Sequence, residues 1–128
     1  MATGFPASTG DVLSAAMFNG LVTFTLNTQS GATYTVANTD LYQALVETSN
    51  ASTKTVTIAP DSTLTAAAVG SAITFLNTGA GLLTFAAGAG VTIASAGAAP
   101  TAPTLAQYKS CVALRTAPNT WIITGAVA

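Results

Sequence analysis

The sequence predicts an all-β chain: an antiparallel β-sandwich or open barrel of about eight short strands, with a short N-terminal helix or arm. Three observations predict it. Threonine alternates with large apolar residues along most of the chain. Gly, Pro, Asn and Asp gather in the gaps between these runs. Charge is almost absent: seven of 128 residues, Asp11, Asp40, Glu47 and Asp61 against Lys54, Lys109 and Arg115.

The elements follow in order. The pattern divides the chain into residues 1–30, an arm with a short helix and the first strand, and residues 31–128, a β-sandwich module. Over Asp11–Gly20, Val12 pairs with Ala16 and Leu13 with Met17 at helical spacing. Thr9 or Asp11 caps that helix, and Gly20 stops it. A period of two then puts Val22, Phe24 and Leu26 on one face and Thr23 and Thr25 on the other. Tyr34 and Val36 alternate with Thr33 and Thr35 in the same way. A second short helix is expected over Thr39–Thr48, where Leu41 pairs with Leu45 and Tyr42 with Val46.

Val56 and Ile58 begin the clearest run of strands. Residues Ile73 to Ile93 read as an antiparallel meander, turning at Gly79-Ala80-Gly81 and Gly88-Ala89-Gly90. Ala94–Pro103 is rich in small residues and reads as a loop. Strands resume over Cys111–Arg115 and Trp121–Thr124. The expected core is Phe24, Val56, Ile58, Phe75, Phe85 and Trp121.

Composition excludes several functions. A net charge of −1 leaves no basic footprint for nucleic acid. There is no histidine, so no His-dependent triad and no His-based zinc site. Cys111 is alone, so no intramolecular disulfide forms. No cofactor or metal is expected, and the chain reads as a non-enzyme. No signal peptide is expected, since Met1–Gly10 has no basic segment and no apolar stretch, and no membrane span, because Thr, Ser, Gly, Gln and Pro interrupt every apolar run.

Each carboxylate has a structural explanation: Asp11 and Asp40 at helix starts, Asp61 in a turn after Pro60, and Glu47 isolated. The Thr-x-Thr units begin at residues 23, 33, 55 and 63, at intervals of 10, 22 and 8. A Thr array for an ordered ligand such as ice needs a constant repeat, so solvent-facing strand positions are the better reading. Trp121 with Tyr108 as a sugar platform competes with a core role for Trp121.

Two stretches carry a family resemblance. Phe5, Gly10 to Ala16 and Asn19 look like the opening of bacteriophage tail-fibre and related virion proteins. Then, in order, come Tyr34-Thr35-Val36, Asp40, Thr55-Val56-Thr57-Ile58 with Pro60, and Val69-Gly70 before Ile73. Gly79-Ala80-Gly81, Thr84-Phe85, Gly88 to Gly90, Val91-Thr92-Ile93 and Ser95 follow. Gln107-Tyr108, Leu114, Thr120-Trp121 and Gly125 close the string. Together these resemble a β-rich module of phage fibre, neck and head-decoration proteins, over Gly31 to Ala128. One departure is the loop Ala96–Leu105, which carries no charge where such modules are usually charged.

The resemblance implies a virion structural protein. With one module and no shaft repeats, the expected role is a capsid decoration (cement) protein on the head surface, assembled in the host cytoplasm. Its expected partners are the major capsid protein and itself, as a homotrimer. Contact residues are expected in the arm: Phe5, Asp11, Leu13, Met17 and Phe18. The alternative is a tail-fibre, spike or adaptor component for host attachment, in which a loop meets a surface glycan.

Overall fold

The computed structural model describes Ala15 and residues 23–41 and 44–128. Among the described residues ten strands run in chain order: β1 Thr25–Gln29, β2 Thr33–Thr35, β3 Ala44–Thr48, β4 Lys54–Ile58, β5 Ala72–Asn77, β6 Leu83–Ala87, β7 Thr92–Ser95, β8 Thr104–Leu105, β9 Lys109–Ala117 and β10 Thr120–Gly125. A 3-10 turn, Asn38–Leu41, lies between β2 and β3. The helix expected over Asp11–Gly20 falls outside the described residues except for exposed Ala15.

The strands form two sheets, one of six in the order β1-β3-β5-β9-β10-β7 and one of four in the order β2-β4-β6-β8. Successive strands alternate between the sheets from β1 to β6. Like strands then stack parallel, β1 on β3 on β5 and β2 on β4 on β6. The chain therefore winds in coils, each giving one strand to each sheet. Antiparallel pairing enters with β9 against β5, β10 against β9 and β8 against β6.

This corrects the expected antiparallel arrangement: the sheets are mixed. Residues 73–93 are not a meander, since β5 and β7 lie in the larger sheet and β6 in the smaller. Alternation fixes which residues face inward; it does not fix the partner strand.

The helix expected over Thr39–Thr48 is also corrected. Asn38–Leu41 is a 3-10 turn, and Ala44–Thr48 is a strand whose burial alternates. The i,i+4 pairs compete there with the pattern Ala44, Val46, Thr48. With β1 and β5 as partners on either side, a strand satisfies every backbone group and puts Val46 fully inside.

One core joins the inner faces. Val46, Ile73, Phe75, Ala113, Trp121 and Ile123 from the larger sheet meet Val56, Ile58, Leu83, Phe85 and Leu105 from the smaller. Phe75 and Phe85 meet edge to face across the sheets, ring centres 5.0 Å apart. That geometry sets a ring edge against a negative ring face. Val56, Ile58, Phe75, Phe85 and Trp121 are all fully buried.

Phe24 is not in the core: it is 54% exposed. The register explains why. Thr25, Asn27 and Gln29 of β1 stand opposite inward Ala44, Val46 and Thr48. Phe24 and Leu26 therefore have the outward parity, the reverse of the sequence expectation.

Glycines and one asparagine lock neighbouring coils together. Gly79 and Gly81 press against the backbone of Asn50 and Ser52, leaving no room for a Cβ. Beside them Asn77 is buried and uses both ends of its amide. Its Oδ1 accepts from Thr48 Oγ1 at 3.2 Å and Gly79 N at 3.0 Å. Its Nδ2 donates to the carbonyls of Gly81 and Leu105, each at 2.9 Å. Four bonds satisfy a polar side chain that would otherwise be costly to bury.

Candidate functional site

The two sheets present different outer faces. On the smaller sheet Thr33, Thr55, Thr84 and Thr104 stand in register, beside a second row of Thr35, Thr57 and Ala86. The 22-residue interval between Thr33 and Thr55 is thus a coil repeat. The Thr-x-Thr units at residues 23 and 63 lie outside this array.

On the larger sheet the outward positions mix large apolar side chains with threonines, Ser110 and Glu47. Leu26, Leu45, Thr74 and Val112 form one row, in register from β1 to β9. Leu76 occupies the next row beside Glu47, and Leu114 and Ile122 stand together across β9 and β10. Leu26 is 58% exposed, and Leu45, Leu76, Val112, Leu114 and Ile122 are half-buried. With Phe24 beside Leu26, this face carries an apolar band. Glu47, one of its few ionic groups, accepts a hydrogen bond from Thr28 Oγ1 at 2.9 Å.

A sequence signal for this band existed. Leu45-Val46, Phe75-Leu76, Val112 to Leu114 and Trp121 to Ile123 place apolar residues consecutively. Such runs mark strands that are apolar on both faces.

The remaining candidates separate. Phe5, Asp11, Leu13, Met17 and Phe18 lie outside the described residues. Tyr108 is 75% exposed with φ at 63°, whereas Trp121 is fully buried, so they form no shared platform. Trp121 Nε1 is buried without a hydrogen-bond partner.

Cys111 is buried, and burial pushes its thiol up to about 12. Such a thiol is almost wholly protonated at neutral pH and a poor nucleophile. Lys54 is buried as well, and desolvation pulls its pKa down. Its ammonium donates to the carbonyl of Gly31.

The carboxylates are engaged structurally. Asp40 accepts from Tyr34 Oη at 2.5 Å, Asn27 Nδ2 at 2.8 Å and Ala37 N at 2.9 Å. Burial, followed by the adjoining carboxylate, raises the Tyr34 phenol to about 12. Asp61 pairs with Arg115. Among the described residues no three His, Cys, Asp or Glu side chains gather as a metal site. Among them, too, no helix is long and apolar enough to cross a membrane.

Comparison of the chain with protein-family models, curated proteins and solved structures returned no match.

Proposed function

We propose that this chain is a bacteriophage virion structural protein. Its role is capsid decoration: a β-sandwich body that cements the head surface, packed as a homotrimer against itself and the major capsid protein. The observation that carries this reading is the apolar outer band of the larger sheet, from Phe24 and Leu26 to Leu114 and Ile122. Apolar side chains on the outer face of a sheet, like those on the inner, are stabilised by being covered. Each apolar Å² so covered contributes about 25 cal/mol. Contacts with so few ionic groups are also insensitive to salt. No cofactor takes part, and the chain acts mechanically rather than as an enzyme.

A tail-fibre, spike or adaptor role is the second reading. The parallel coils favour it. Among the described residues β1 and β2 each stand at the end of their strand order, and coils of this kind extend by stacking. A glycan contact through exposed Tyr108 belongs to this reading.

Quantitative mass spectrometry of purified particles, with and without the gene, tests the proposal. Decoration predicts many copies per head, and heads weakened to heat or osmotic shock when the gene is removed. The tail reading predicts few copies, intact heads and lost adsorption. Absence from purified particles contradicts both.

A further inference from the structure

We propose that the β1–β2 segment, Thr25–Thr35, is a latch that opens as one unit, and that Asp40 is the pin that holds it shut. This inference is independent of the virion reading.

The segment is weakly packed. β1 adds no apolar side chain to the core, and from β2 only Tyr34 packs against it. Among the described residues β1 is laddered only to β3, and β2 only to β4, whereas β5 and β9 have partners on both sides. Segments with few buried apolar contacts open at lower free energy than the body they lie on.

The pin belongs to the body. Asp40 sits in the 3-10 turn, which packs on β3 and β5. From there its carboxylate reaches both strands of the latch: Asn27 on β1 at 2.8 Å and Tyr34 on β2 at 2.5 Å. Asn27 ties the strands to each other by donating to Tyr34 Oη at 2.9 Å, and within β1 it accepts from Gln29 Nε2 at 2.7 Å. The turn between the strands is held as well. Lys54 donates to Gly31 O, and Asn50 Nδ2 donates to Ser30 O at 2.9 Å. Strands joined to one another and to one carboxylate move together rather than fray from an end.

Hydrogen exchange followed by mass spectrometry on the full chain tests this. Amides of Thr25–Gln29 and Thr33–Thr35 are expected to exchange as one group, faster than those of β5 and β9. Tyr34→Phe keeps the ring and removes one donor to the carboxylate. It is expected to speed exchange of that group about tenfold or more, with β5, β9 and β10 unchanged. Asp40→Asn is expected to act in the same direction. Should Asp40→Asn fail to fold, Tyr34→Phe alone decides. The proposal is overturned if the segment exchanges at the rate of β5 and β9. It is equally overturned if Tyr34→Phe leaves the segment unchanged or accelerates the whole chain alike.

Discussion

Asp61 and Arg115, 54 residues apart in the chain, are joined by two hydrogen bonds, Nε to Oδ1 at 3.2 Å and Nη2 to Oδ2 at 2.6 Å. Asn119 completes the clamp: its N–H donates to Asp61 Oδ2 at 2.9 Å, and its Oδ1 accepts from Asp61 N at 2.8 Å. The β4–β5 connection is thereby fastened to β9 and to the turn before β10. Two parallel N–H···O bonds make this a directional pair as well as an ionic one.

The first prediction concerns acid. Hydrogen bonding from Arg115 holds the Asp61 carboxyl below the usual carboxylate range. A depressed folded pKa gives stability that is full above the ordinary value of about 3.9 and is lost as pH falls through the folded value. Asp61→Asn should therefore melt at lower temperature than the parent at neutral pH. The gap should close as both are acidified below the carboxylate range. Thermal melts across that range measure it.

The second concerns the inter-sheet aromatic contact. Phe75→Ala or Phe85→Ala removes a fully buried ring from the core. Each should cost about 3–5 kcal/mol in urea unfolding. The double variant should cost less than the sum, because the rings touch.

The third concerns coil stacking. A Cβ at Gly81 meets the backbone of Ser52, whereas a Cβ at Gly31 meets only an ordinary contact at 3.7 Å. Gly81→Ala should destabilise by well over the ~1 kcal/mol of an average substitution. Gly31→Ala should be close to neutral. Denaturant midpoints compare the two.

The fourth concerns the thiol. With its pKa pushed up to about 12 by burial, Cys111 should resist a disulfide reagent at mildly alkaline pH in the native protein and react at once in denaturant. Rapid labelling of the native thiol would place Cys111 at the surface.

Much of the fold was legible because alternation is local. Val56, Ile58, Ile73, Phe75, Phe85 and Ile93 lie in strands and in the core, where the period of two puts them. Strand partners were not legible. The parallel pairing of β3 with β5 joins residues separated by a full coil, and nothing within either strand names the other. Ala44–Thr48 misled because Leu41, Leu45 and Val46 fit a helical stripe until flanking strands are supplied. β1 misled because its inward residues are polar: Asn27 and Gln29 serve the Asp40 network, so the apolar set points outward. The apolar outer band was half visible, in consecutive apolar pairs that a strict alternation cannot explain.

The fifth prediction concerns the proposed apolar contact between neighbouring chains through the larger sheet. Sedimentation velocity on the parent and on Phe24→Ser/Leu26→Ser, at low and high salt, measures it. Both positions are exposed, so the double variant should stay folded, within about 0.5 kcal/mol per site. The parent should sediment as an oligomer whose size is indifferent to salt, and the variant should shift toward the monomer. A parent that remains monomeric at every concentration, or a variant that associates as well as the parent, would contradict the account.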